Sequence, residues 1–301
     1  MELQGRLKEL QSQGVAVAAI SYDKPEILAA FARQRQITFP LLSDPDSVAI
    51  KAFGILNPAV EWSLGPDGNT PAIVSQVEKF VAFNGRAAEM MRGMALPGTF
   101  IVNRQGRVTS RFFEENYTER STTESVMLRT GAGAPVQATR ISSSQIDLTA
   151  SLSDASIAVG NRFSIVVNVV PHQGMHVYAP DAVGYRPIRL ALAPQPFVQM
   201  RPAQYPASEI YVFKPLNERV PVYMKPFQIV QDVLVEATAE AQKALQNVDL
   251  LTLVGTVDYQ ACDDKVCYNP VSVPVTFSVM LKPLIRERPL PSASPPAAPP
   301  R

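Results

Sequence analysis

Residues 271–281, VSVPVTFSVML, set the character of the C-terminal half. Val271, Val273, Val275, Phe277 and Val279 alternate with Ser272, Pro274, Thr276 and Ser278. A period of two places one face of a strand in a core and the other toward water. Pro274 cannot donate to a ladder, so the strand is predicted at a sheet edge. RFSIVVNVV (162–170), RPIRLALAP (186–194), IVQDVLVEA (229–237) and VDLLTLVGTV (248–257) supply further short strands between prolines and polar turns. The pattern predicts an all-β, immunoglobulin-like sandwich over residues 145–282, with a barrel as the alternative.

Immediately before that strand lies YQACDDKVCYNP (259–270), which holds both cysteines of the 301-residue chain, Cys262 and Cys267. The intervening DDKV reads as a turn that brings the two thiols together. A bridge over so short a loop removes only about 2 kcal/mol of unfolded-state freedom, a weak staple. Tight, exposed disulfides are more often labile, which favours redox use over a purely structural bridge. Zinc is disfavoured because two thiolates fall short of four ligands. His172 and His176 in HQGMH do not sit on a helix that would align them, so no metal and no cofactor is expected. Asp263 and Asp264 should oppose a thiolate at Cys262, whereas Lys265 would favour one at Cys267. Tyr259 and Tyr268 flank the pair and are candidates to pack over the sulfurs, or are simply core residues.

The first half has a different rhythm. Leu3, Leu7 and Leu10 recur at helical spacing, Gly14 ends that helix, and the apolar run VAVAAIS (15–21) follows as a strand. Asp23 stands three residues before Glu26, with Pro25 between, a capping-box pattern for a helix through Phe31. Asp44 and Pro45 open another helix that ends near Gly54. GTFIVNRQGRVTSRFF (98–113) reads as strand, turn at Gln105 and Gly106, and strand. Thr118 to Leu128 is predicted as a closing helix. Helices alternating with strands imply a sheet covered on both faces. The expected organisation is therefore an α/β domain over 1–128, a small polar linker over 129–144, the β domain over 145–282, and a proline-rich, disordered tail over 283–301.

Composition narrows the functional classes. The formal charge is +1 and the basic residues are dispersed, so no nucleic-acid or anionic-membrane footprint is present. No apolar run approaches the roughly 20 residues needed to cross a bilayer, so direct membrane insertion is not expected, and MELQGRLKELQSQG (1–14) lacks a signal-peptide core.

The order helix, VAVAAISYDKPE, FPLLSDPDSVAIKAFGI, LPGTFIVNRQGRV resembles the redoxin branch of the thioredoxin fold, the group that includes AhpC/TSA-type thiol peroxidases. The resemblance covers nearly all of residues 1–128. It implies a cis proline at Pro97 beside a redox cysteine, against the plain alternative of a turn proline. The family's cysteine would sit at the N-terminus of the helix Glu2–Gln13, where the helix dipole lowers a thiol pKa. The sequence holds no thiol there, nor an arginine in LPGTF. The expectation is that a longer parent carries the missing motif and an export signal, or else that the domain is a degenerate scaffold.

YQACDDKVCYNP, with MHVYAP (175–180) and ERVPVY (218–223), is similar to the N-terminal periplasmic domain of the transmembrane thiol reductase DsbD. That resemblance implies that Cys262 and Cys267 are an exchangeable redox pair, although their spacing departs from the family by being one residue tighter. It also implies a shielding cap loop, for which EIYVFKP (209–215) with Tyr211 and Phe213 is the candidate. Its implied partners are thioredoxin-like proteins or a membrane thiol reductase, in a periplasmic or other extracytoplasmic setting. The full-length parent would relay electrons between its two domains. The competing expectations are a non-catalytic interaction module with a permanent bridge, and a remnant of a peroxiredoxin-like antioxidant protein.

Overall fold

The structure, a computed structural model, describes residues 2–58, 61, 92–113, 119–213 and 218–282. Helices α1 (Glu2–Gly5) and α2 (Leu7–Ser12) bury Leu7 and Leu10. Strand β1 (Ala19–Ser21) pairs in parallel with β2 (Leu41–Ser43), and α3 (Pro25–Arg35) lies against β2. The expected capping box is absent. Lys24 is the N-cap of α3 and makes no side-chain cap bond, because the Asp23 carboxylate instead accepts from the Ser21 hydroxyl at 2.7 Å. Helix α4 (Val48–Ala52) begins later than Asp44 and Pro45 suggest, with Ser47 as its N-cap, yet the Asp44 carboxylate still holds its start by accepting from Val48 N–H and Ile50 N–H at 2.9 and 3.0 Å. The Asn103 side chain accepts from Gln105 and Arg107 N–H, and Gly106 takes φ 76°. This turn joins antiparallel β3 (Gly98–Val102) to β4 (Val108–Phe113).

Apolar faces in this half stay partly open. Ile20, Leu42, Ile27 and Phe31 are 40–50% exposed, and among the described residues the β1–β2 and β3–β4 pairs are separate sheets. Pro97, expected to be cis, follows a trans peptide bond, since no described residue has a cis bond. Trans is the lower-energy X-Pro isomer by about 0.5–1 kcal/mol unless the surroundings impose the other form.

The remainder is strand-rich. One sheet runs β12 (Val198–Met200), β15 (Phe227–Val235), β9 (Asn161–Pro171), β7 (Ile146–Leu152), β6 (Val136–Ser142). A second runs β11 (Arg189–Leu192), β16 (Leu250–Tyr259), β18 (Val271–Lys282), β8 (Ser156–Ala158). Both sheets send side chains into one core, including Ile146, Leu148, Phe163, Ile165 and Ile229 from the first and Leu253, Val257, Val273, Val275 and Phe277 from the second. Strand β18 buries every second residue, as its sequence period dictates. It pairs with β16 throughout and with β8 only at Met280–Lys282, so Pro274 occupies an open edge.

Two elements depart from the sequence reading. Residues 129–144, read as linker, include β6, paired antiparallel with β7. Val136 and Ile141 pack against the core there, enough to hold a strand whose other side chains are mostly polar and exposed. The closing helix, α5 (Thr123–Thr130), starts at Thr122, whose hydroxyl accepts from Ser125 N–H. It lies against β9 as well as β3, because β5 (Arg120–Ser121) pairs in parallel with Asn161 and Arg162 of β9.

Candidate active site around Cys262 and Cys267

A smaller sheet carries the cysteines: β13 (Glu209–Phe213), β14 (Glu218–Tyr223), β10 (His176–Tyr178) and β17 (Ala261–Cys262), in that order. Within it His176 is the register partner of Cys262. After Cys262 the chain reverses tightly. Asp263 N–H donates to Val266 C=O at 3.0 Å, and the Asp263 carboxylate accepts from Lys265 N–H at 2.7 Å and Val266 N–H at 2.6 Å. The Tyr268 hydroxyl donates to the second carboxylate oxygen at 2.9 Å, and Tyr268 N–H donates to Ala261 C=O. Asp and Lys in the sequence DDKV are thus turn-formers first. The reversal sets Cys267 opposite Cys262 in an antiparallel bridge, with Cα atoms 4.1 Å apart and the two sulfurs joined.

Electrostatics follow from that turn. The Lys265 and Val266 amides and the Tyr268 hydroxyl hold the Asp263 carboxyl below its ordinary value. The same bond to Asp263 pushes the Tyr268 hydroxyl up. The negative charge nearest Cys262 in sequence is therefore committed to the loop backbone.

The two sulfurs are not equivalent. Cys262 is 1% exposed and packs with Tyr178, Ala182, Val220 and Val222, whereas Cys267 is exposed. The Tyr178 hydroxyl lies 3.0 Å from Cys262 Sγ and 3.3 Å from Cys267 Sγ. Burial, with the Tyr185, Glu218 and Tyr211 side chains adding to it, pushes Tyr178 up to about 12, so its proton stays in place at neutral pH. Tyr185 stacks on Tyr178 at 4.2 Å and hydrogen-bonds Glu218. His176 meets Tyr178 edge-on at 5.7 Å and lies tilted against Tyr211 at 4.5 Å. Burial lowers the His176 pKa, partly offset by the Asp263 charge.

The sequence-predicted residues divide accordingly. Cys262, Cys267 and Tyr268 meet in one turn, and Tyr211 packs at its edge from strand β13 rather than from a loop. Phe213 also lies on β13, its side chain outside the described residues, as are Lys214 and Pro215 of the expected cap loop. Tyr259 does not cover the sulfurs. Strand alternation turns it into the main core, where its hydroxyl meets Ser143 Oγ at 2.7 Å and Gln145 Oε1 at 3.1 Å. Pro97 belongs to the other half of the molecule. His172 and His176 diverge: His172 Nδ1 is 3.2 Å from Ser144 C=O and Nε2 is 3.4 Å from Asp147. Among the described residues no group of three or more His, Cys, Asp or Glu could hold a metal. Tyr178 and His176 were missed as site residues, although MHVYAP places them two apart on one strand face.

Comparison with known proteins bears mainly on the first half. Residues 1–111 match the profile of the AhpC/TSA family, and this part of the chain is a thioredoxin-like redoxin domain. A putative peroxiredoxin of Mycobacterium tuberculosis and the peroxiredoxin Bcp of Escherichia coli K12 are each 43% identical over 53 residues. Each alignment covers 18% of this chain and 34% of the relative. The chain thus spans about a third of the length of these relatives. Among solved structures, the N-terminal periplasmic domain of ScsB from Proteus mirabilis aligns at TM-score 0.35 and 13% identity, covering 48% of this chain and 51% of that one. The reduced N-terminal domain of DsbD from Neisseria meningitidis aligns at 0.27 and 15%, covering 38% and 82%.

Proposed function

We propose that the chain is a thiol-disulfide oxidoreductase in which Cys262 and Cys267 form an exchangeable pair. The observation that carries this reading is the asymmetry of the two cysteines: Cys262 is buried beside a hydroxyl donor and Cys267 lies in an exposed turn. A partner thiolate attacks Cys267 Sγ, forming a mixed disulfide and breaking the Cys262–Cys267 bond. The electron pair of the broken bond goes to Cys262 Sγ, which leaves as a thiolate. Tyr178, protonated at neutral pH, donates a hydrogen bond to that developing charge in a site with little water. A second thiolate of the partner then attacks its own sulfur in the mixed disulfide and releases Cys267 as a thiolate. The partner leaves oxidised by two electrons and the pair is reduced. In the reverse direction the Cys267 thiolate attacks a substrate disulfide and Cys262 resolves the product.

The strand-rich half, with two sheets around one core, is read as an immunoglobulin-like sandwich of the DsbD N-terminal type. We read its boundary as falling after β4, because among the described residues β5, α5 and β6 pair with or pack on these strands. Its partners would be thioredoxin-like proteins or a membrane thiol reductase. Its setting would be the periplasm or another oxidising compartment, where a disulfide persists. Among the described residues no helix is long and apolar enough to cross a membrane.

Equilibrating the purified chain in glutathione buffers and counting free thiols tests the reading. A reduction potential near or above that of glutathione, with the thiol change lost in Cys262→Ser, is the expected result. A bond untouched by glutathione would make the pair a permanent bridge and the chain an interaction module.

A further inference from the structure

We infer that the Cys262–Cys267 pair exchanges with a thiol on a separate polypeptide, and that the redoxin half of its own chain is held out of reach. The inference rests on the exchange reading above and replaces the internal relay suggested by the domain resemblance.

Strand β9 is the ruler. Its eleven residues rise about 3.3 Å each, so its ends lie about 30 Å apart. At the Pro171 end, Pro171 pairs with Ile146, and His172 N–H donates to Gln145 C=O. Gln145 also receives the hydroxyl of Tyr259, three residues before Cys262. The second sheet gives the same polarity. In β16 and β18, Tyr259 pairs with Val271 at the cysteine end, while Leu250 pairs with Met280 at the other, where Met280 meets Ser156 of β8 just ahead of β9.

Strand β5 and helix α5, which follow the redoxin half in the chain, are fixed to the Asn161 end, and the redoxin half touches them and β9 there. Arg120 N–H donates to Gly160 C=O and Thr122 N–H to Arg162 C=O, both at 2.8 Å. The Arg162 guanidinium sits over the Phe112 ring at 5.4 Å, and Phe112 is the register partner of Thr99, two residues after Pro97. Arg6, between α1 and α2, bonds Glu124 of α5 at 2.8 Å. Helix α5 is in turn locked to the sheet by a buried network. Ser125 Oγ meets Ser164 Oγ at 2.6 Å, Ser164 Oγ donates to Asp232 at 2.7 Å, and Arg129 bonds the same Asp232 oxygen at 2.9 Å. Buried, mutually satisfied charges of this kind resist opening because separation strands each of them. Thiol exchange needs sulfur against sulfur, and these contacts seat β3–β4 and Arg6 at the end of β9 remote from the cysteines.

The test places a reporter thiol in the redoxin half of the whole chain. Gly5 is suitable because a Cβ there meets nothing within 4 Å. Gly5→Cys with Cys262→Ala leaves Cys267 as the acceptor. The chain is oxidised by glutathione at a series of protein concentrations and the products are mapped by non-reducing electrophoresis and peptide mass spectrometry. The expected products are glutathione adducts and dimers whose yield rises with concentration, with no internal bridge. A bridge from position 5 to Cys267 within one chain, formed at a concentration-independent rate, would show millimolar effective concentration and overturn the inference. Arg92→Cys, in an exposed turn and with both native cysteines kept, repeats the test without altering the packing around Cys262; an internal bridge to Cys267 there counts equally against it. The glutathione potential of the unaltered chain reports on the exchange reading separately, so either claim can fail alone.

Discussion

The two ends of β9 are built on opposite principles. At Arg162 and Ser164 the sheet buries hydroxyls and charges in a linked network: Ser164 bonds Asp232, Asp232 bonds Arg129, and Ser153 Oγ accepts from Ser164 N–H at 2.8 Å. Past Pro171 the packing around Cys262 is aromatic and aliphatic, with one hydroxyl, that of Tyr178, aimed at the sulfurs. A dense polar network has few alternative arrangements and fixes one docking geometry. An apolar pocket with a single donor tolerates the loss and return of a covalent bond, since few other contacts depend on it.

The largest expected effect attacks the first end. Asp232→Ala leaves Arg129, whose side chain is 12% exposed, without its carboxylate. Breaking such a pair costs about 3–5 kcal/mol, to be read from urea unfolding curves. The potential of the cysteine pair should stay unchanged, because sites separated by more than about 10 Å without shared partners act independently. A shift in potential would mean that the two ends are coupled.

Tyr178→Phe probes the other end. Removing the donor from the Cys262 leaving group should slow attack by glutathione about tenfold, the equivalent of about 1.4 kcal/mol in the barrier, measured by stopped-flow thiol release. Equal rates in the two proteins would remove Tyr178 from the mechanism.

The smallest effect is the pH response of the aromatic end. Burial holds the His176 pKa below its ordinary value, so the unfolded chain takes up the proton first as pH falls below about 6.5. Stability from neutral His176, packed among Tyr178, Tyr211 and Asp263, is complete above that pH and declines toward the lower folded-state pKa. Thermal unfolding at pH 8 and pH 5 should show a loss that shrinks in His176→Phe. An undiminished loss would assign the pH dependence to other groups.

Much of the fold was legible because it obeys local rules. The alternation of VSVPVTFSVML gave β18 and its edge position, Asp44 gave α4 though not its first residue, and Asn103 with Gly106 gave the β3–β4 turn. The capping box at Asp23 failed because Ser21 offered its carboxylate a nearer partner. Strand β6 was hidden because only Val136 and Ile141 pack against the core, too few to mark a period of two, and its pairing with β7 supplies the rest. At the site, Cys262, Cys267 and Tyr268 were readable from the DDKV turn, whereas Tyr178 and His176 reach the sulfurs only through the β10–β17 pairing.

The sequence by itself determined the two kinds of half, the single pair of thiols and the tight turn that joins them, since each follows from short-range periodicity and turn chemistry. The tertiary structure alone decided three things: which sulfur is open, which hydroxyl faces the buried one, and at which end of the strands the redoxin half is fastened. These depend on contacts between residues 41 to 118 positions apart, such as Ser121 with Arg162, Tyr178 with Cys262, and Arg6 with Glu124. Pairings at that distance are selected by the free energy of the whole packed chain, and no local pattern encodes them.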